Sequence, residues 1–109
     1  MRVADVALRD VPTCRVDENV RAVRDRVADG GWDVCVVVDD GRVVLGLITG
    51  ENVDGDPLTP VDQVMDSGPT TFRPNVAVGT LPEYVKTQRI PRALVTTSDG
   101  VLIGLLPSE

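Results

Sequence analysis

The stretch VCVVVDDGRVVLGLITGENV, residues 34–53, and its shorter echo ALVTTSDGVLIGLLPSE, residues 93–109, decide the fold. Each consists of two apolar runs joined through an Asp-Gly pair, Asp40-Gly41 in the first and Asp99-Gly100 in the second. Asp-Gly between strand-like runs is the strongest short-range hairpin signal, so each stretch is predicted to form a β-hairpin. The runs are too apolar to leave one face wet, which predicts hairpins covered on both sides.

Working outward, a shift of 58 residues, the spacing of Thr13 and Thr71, lays the first half of the chain on the second. TCRVDENV at 13–20 falls on TFRPNVAV at 71–78, with Thr, Arg and the closing Val in place. Val20, Val23 and Val27 fall on Val78, Leu81 and Val85, and Cys35, Val36 and Val37 on Ala93, Leu94 and Val95. Two small length adjustments at the turns then place Gly46-Leu47 on Gly104-Leu105. The chain is therefore an internal duplication.

Valines 20, 23 and 27 recur at helical spacing and predict a helix over about residues 18–29. Asp17 is its expected N-cap, Glu18 lies in the first turn, and Gly30-Gly31 ends it. In the second half Gly79 and Pro82 interrupt the matching span. Either the helix starts late, with Thr80 and Glu83 as a capping box, or a kinked helix runs from Asn75. GDPLTP at 55–60 has the Gly and Pro punctuation of a linker. The expected organisation is one repeat over 1–54, the linker at 55–60 and a second repeat over 61–109. Halves of about fifty residues are marginal alone, so they are expected to share one core across a pseudo-two-fold axis.

At 109 residues and 42% apolar content the chain makes one compact module. It has neither a long apolar run nor a basic-then-apolar N-terminus, which predicts no membrane association and no secretory signal. Its formal charge of -6 opposes non-specific nucleic-acid binding. Two cysteines 21 positions apart and no histidine leave no four-ligand zinc site and no close redox pair. Free thiols in a reducing compartment predict a cytoplasmic protein.

In order and in duplicate, the openings VADVALRDVPTCRVDENV and VDQVMDSGPTTFRPNVAV, the helices and the two hairpins resemble a tandem pair of cystathionine-β-synthase-type (CBS) domains, a Bateman module. The resemblance spans essentially the whole chain. It implies an α/β fold of the α+β sandwich type, with β-α-β-β-α repeats and sheets packed back to back. It also implies a disc-shaped homodimer and a regulatory role. Its ligands would be adenine nucleotides or adenosyl compounds, AMP, ADP, ATP or S-adenosylmethionine, bound in clefts between repeats.

In the family, ribose is held by Gly, two apolar residues, Thr or Ser, two variable positions, then Asp or Asn. Gly46, Leu47, Ile48, Thr49 and Asn52 match that order. A carboxylate could accept from both ribose hydroxyls, whereas Asn52 accepts with its oxygen and donates with its nitrogen. Thr49 and Asn52 also suit a helix start. The resemblance places base contacts at Pro12, Thr13, Cys14, Cys35 and Val36, all of which also suit the core. Phosphate contacts fall on Arg89 and Arg92. Arg15 and Arg73 recur at equivalent positions, which fits a packing role or a solvated one. The second copy departs from the pattern, because Pro107 replaces the hydroxyl and the sequence stops at Glu109.

NVDGD at 52–56 begins like a calcium loop, but Pro57 takes the glycine position and Gln63 the closing glutamate position. No nucleophile stands beside a recognisable base, and Asp39-Asp40 suits turn chemistry, so the chain is read as a non-enzyme with no required cofactor. Two functions remain: a nucleotide-sensing module, or a structural and dimerisation module that no longer senses.

Overall fold

The computed structural model describes residues 1–32, 34–49, 56–80 and 93–106. The chain divides into two compact units, Val11–Gly68 and Met1–Asp10 with Pro69–Glu109. Units and sequence repeats do not coincide. The opening ten residues pack with the second half, and the opening of the second repeat packs with the first.

In chain order the elements are α1 (Val3–Val6), β1 (Thr13–Cys14), α2 (Val20–Gly30), β2 (Val34–Val38), β3 (Val44–Thr49), β4 (Asp66–Ser67), β5 (Thr71–Phe72), β6 (Leu94–Thr96) and β7 (Leu102–Leu105). Short 3-10 turns cover Val61–Gln63 and Val78–Thr80. One sheet has the order β1-β2-β3-β4 and the other β5-β6-β7. This is the mixed α/β class expected. Among the described residues no helix is long and apolar enough to cross a membrane.

The unit Val11–Gly68 is built around the predicted hairpin. Strand β2 is buried along its whole length, which bears out the expectation of cover on both faces. β1 pairs with it in parallel, Thr13 opposite Val36, and β3 antiparallel, Val36 opposite Leu47. Cys14, Val23, Cys35, Val37, Ile48 and Val61 form its buried cluster, with Val27, Val64 and Met65 packed against it.

Helix α2 starts later than predicted. Asn19, not Asp17, is the N-cap, its Oδ1 accepting from the Ala22 N–H at 3.0 Å. The first free N–H groups find carbonyls on the segment read as a linker: Val20 donates to Thr59 and Arg21 to Pro57, each at 3.0 Å. Those tertiary partners fix the start at Val20, because a helix entrance needs its leading donors satisfied. Glu18 is released for an ion pair described below. The end is as predicted: Gly31 takes the left-handed conformation at φ 70, and the Trp32 N–H returns to the Val27 carbonyl.

In the other unit, Val3, Ala93, Val95 and Leu106 form the buried cluster. Its hydrogen bonds repeat those of the first at the same spacing of 58. Val3 donates to the Val76 carbonyl and Val61 to Glu18; Val78 donates to Met1 and Val20 to Thr59. The hairpins match through their bulges, Val37/Val38 and Val95/Thr96, so no length adjustment at the turns is needed.

The turns correct a second detail. Arg42, not Asp40 or Gly41, is left-handed at φ 65, and its counterpart Gly100 sits at φ 88. Asp39 Oδ1 accepts from the Gly41 and Val43 N–H groups, each at 2.9 Å, while Thr97 Oγ1 accepts from Val101 at 3.1 Å. Each loop is thus longer than the two-residue turn that Asp-Gly alone suggests.

Gly46 and Gly104 mark where the opening segments lie against the hairpins. A Cβ at Gly46 would meet Met65 Sδ at 2.6 Å, and one at Gly104 the Leu8 carbonyl oxygen at 2.8 Å. β4 pairs with β3 through Gly46 and Ser67, and Leu8 bridges to Leu105.

A continuous helix from Asn75 is not formed. Ala77 instead bridges to Arg2, and Val78–Thr80 make a 3-10 turn. The Thr80 hydroxyl donates to the Ala77 carbonyl at 2.7 Å. Glu83 and the body of the expected second helix lie outside the described residues.

Candidate functional site

Thr49 closes β3 opposite Val34 and is half-buried. It thus stands at a strand end. Asn52, Arg89, Arg92 and Pro107 lie outside the described residues.

The five positions expected at a base are gathered by β1–β2 pairing. The Pro12 carbonyl accepts from the Val36 N–H at 3.0 Å, Thr13 lies opposite Val36 and Cys14 opposite Val37. Cys14, Cys35 and Val36 are buried, while Pro12 and Thr13 are half-buried. β2 separates β1 from β3, so Thr49 is two strand spacings, roughly 10 Å, from the β1 line.

Both cysteines are free and buried, and strand pairing brings them closer than their spacing along the chain implies. Though 21 positions apart in sequence, they sit on one face of adjacent strands in a single buried cluster. Hydrogen bonding to Cys35 and burial push the Cys14 thiol well above the usual thiol range. The same bond, followed by the nearby Arg26 guanidinium, favours ionisation at Cys35. Strand pairing, invisible in linear spacing, brings them together. A disulfide needs Cα atoms within about 7 Å, and this diagonal separation on neighbouring strands is about 7–8 Å.

A cleft of about 550 Å³ opens in the same unit where β1 leaves the sheet, beside α2 and the β2–β3 turn. Pro12, Thr13 and Cys14 line it together with six charged residues: Arg15, Glu18, Arg26, Asp39, Asp40 and Arg42. Arg26 donates to both Glu18 oxygens, at 2.7 and 3.2 Å, and to the Thr13 carbonyl at 2.7 Å. Glu18 also accepts from the Arg15 N–H at 2.7 Å. The hydrogen bond from Arg26 holds the Glu18 carboxyl below its usual range. Together Glu18 and Arg26 occupy the free backbone groups along edge strand β1, which blunts that edge against strand addition.

Arg15 forms an ion pair with Asp40 at the mouth, where the Asp40 side chain is 92% exposed. No hydrogen bond or ion pair holds the Arg42 guanidinium among the described residues. Arg73, the counterpart of Arg15, is used up internally, donating to Thr71 Oγ1 at 2.9 Å, Thr96 Oγ1 at 2.6 Å and the Thr97 carbonyl. The two equivalent arginines therefore have different roles, one bracing a hairpin and one facing a cleft. Glu18, Arg26 and Arg42 escaped the sequence reading as a group. The available signal was that their counterparts Val76, Tyr84 and Gly100 are uncharged.

The CBS domain family model matches residues 3–53. No curated protein matches the chain in sequence. Among solved structures, a Vibrio cholerae protein named for acetoin utilization, AcuB, superposes with a TM-score of 0.86 at 18% identity, covering 97% of this chain and 83% of that one. The CBS domains of a transcriptional regulator from Streptococcus pneumoniae give 0.85 at 18% identity, covering 97% and 92%. A CBS domain protein from Pyrobaculum aerophilum complexed with AMP gives 0.83 at 18% identity, covering 97% and 86%. Further matches were solved with ATP, or with 5′-methylthioadenosine and S-adenosyl-L-methionine. At such identities the likeness speaks for the fold. Residues 3–53 thus match the CBS domain family, and the chain has the fold of CBS-domain-pair structures.

Proposed function

We propose that this CBS pair is a cytoplasmic, non-catalytic regulatory module that binds an adenine nucleotide or adenosyl ligand. It acts as a homodimer on a partner domain or protein. The observation that carries this reading is the placement of Gly46-Leu47-Ile48-Thr49 at the end of β3, with a half-buried hydroxyl at the strand terminus. Thr49 and Asn52 hold the ribose, and the base lies along Pro12, Thr13, Cys14, Cys35 and Val36. Arg89 and Arg92 meet the phosphates. AMP, ADP, ATP and S-adenosylmethionine share the adenosine that these positions address. Binding biases the module between packing states by the ligand's differential affinity for them.

A second reading, a structural and dimerisation module without a ligand, is favoured by Pro107 in place of the second hydroxyl. Melting the protein with each of the four ligands separates the two. A ligand at 100 times its dissociation constant adds about 2.7 kcal/mol to the folded state. A shift that disappears in Asn52→Ala supports sensing. No shift with any of the four supports the structural reading.

A further inference from the structure

The cleft between the exit of β1, helix α2 and the β2–β3 turn shares Pro12, Thr13 and Cys14 with the positions proposed for the base, but its charged residues Arg15, Asp40 and Arg42 have no part in the nucleotide reading. Thr49 pairs with Val34, at the opposite end of β2 from Val38, which lines this cleft. At about 3.3 Å per residue the two ends of that strand are roughly 13 Å apart. We propose that the cleft binds a small oxyanion, a phosphate or carboxylate group, bridged between Arg15 and Arg42 after it displaces the Asp40 carboxylate.

The guanidinium groups differ in availability. Arg26 is locked by Glu18 and the Thr13 carbonyl, and Asp39 is committed to the turn N–H groups. Arg15 and Arg42 remain. The exposed carboxylate of Asp40 is a weak partner for Arg15, because surface ion pairs are nearly balanced by hydration and side-chain entropy. Arg42 has no partner among the described residues. Two planar guanidinium forks suit the oxygens of one phosphate or carboxylate. The volume, about 550 Å³, falls within the range of small-molecule sites.

The duplication supplies an internal control. On the same hairpin framework, the positions of Glu18, Asp39, Asp40 and Arg42 are Val76, Thr97, Ser98 and Gly100 in the other copy. Arg42 also keeps a left-handed backbone, at φ 65, where its counterpart is the glycine that favours that conformation. The framework folds without these charges, so folding alone does not account for them.

Amide spectra of the full chain, titrated with sodium pyrophosphate and separately with sodium citrate at ionic strength fixed by NaCl, test the proposal. Saturable shifts at Arg15, Asp40, Gly41 and Arg42 are expected, and the anion that produces them names the ligand class. Arg42→Gly should weaken binding by about tenfold. It should also melt no lower than the wild type, which separates lost binding from lost folding. Asp40→Asn removes the competing carboxylate and should tighten binding by up to about fivefold. Asp25→Asn, the same charge change on an exposed position of α2, should not. Shifts that fail to saturate, or an Asp40→Asn effect no larger than that of Asp25→Asn, would overturn the proposal.

Discussion

Replacing Gly104 by alanine should damage the fold far more than the equivalent change at Gly46. At Gly104 the new methyl would stand 2.8 Å from the Leu8 carbonyl oxygen and 3.0 Å from Ala7 Cβ, both fixed by the opening segment. Leu8 and Leu105 exchange two backbone hydrogen bonds there, at 2.8 and 3.0 Å, and cannot separate without losing them. Overpacking costs about 1–3 kcal/mol, and weakening this pair adds about 1 kcal/mol. Stiffening the unfolded chain returns about 0.5–1 kcal/mol, leaving a net loss of roughly 1.5–3 kcal/mol. For a chain of this size that lowers Tm by about 6 °C or more. At Gly46 the nearest obstacle is Met65 Sδ at 2.6 Å, a flexible thioether that can swing aside, although the Asp66 carbonyl oxygen remains tight at 3.1 Å. The net cost there should stay below about 1 kcal/mol. Thermal denaturation of both variants measures the contrast. Hydrogen exchange should show the Leu8 and Leu105 amides losing protection together in Gly104→Ala. If Gly104→Ala melts like the wild type, or Gly46→Ala is the more damaging, the opening segment does not hold the hairpin in the way described.

Asn19→Ala removes the only side-chain cap at the α2 entrance among the described residues and should cost about 1 kcal/mol in urea denaturation. Asp17→Ala should cost much less, since that residue is not the cap. The Glu18–Arg26 pair makes a pH-dependent contribution. The folded carboxyl is held below its unfolded value, so its stabilisation is complete above the usual glutamate range and disappears as pH falls through the lowered value. Because the Arg26 side chain is 40% exposed, the effect should not exceed about 1 kcal/mol. Urea unfolding of the wild type and Glu18→Gln should therefore differ at pH 7 and converge as the pH falls through the lowered value.

Much of the fold was legible because the hairpins are written in β-branched runs around Asp-Gly, and the same grammar recurs 58 residues later. The shift that aligns Thr13 with Thr71 also aligns the hydrogen bonds, down to the bulges. What escaped depended on contacts between distant segments. Asp17 and Asn19 are both good caps by residue type; the Thr59 and Pro57 carbonyls decide between them. The placing of Cys14 and Cys35 in one buried cluster follows from parallel pairing of β1 with β2, which spacing along the chain does not express. The packing of Met1–Asp10 with the second half is likewise a matter of strand partners. At the candidate site, Thr49 could be placed at a strand end because β3 was predictable. The charged cleft could not be foreseen, because its six charges come from β1's exit, α2 and a turn.

The most direct test of the regulatory reading is calorimetric titration of the purified chain with AMP, ADP, ATP and S-adenosylmethionine, alongside Thr49→Ala and Asn52→Ala. At least one ligand should bind saturably, and both substitutions should weaken it while leaving Tm in buffer close to that of the wild type. Absence of binding for all four, or binding indifferent to both substitutions, would contradict a nucleotide site at the end of β3.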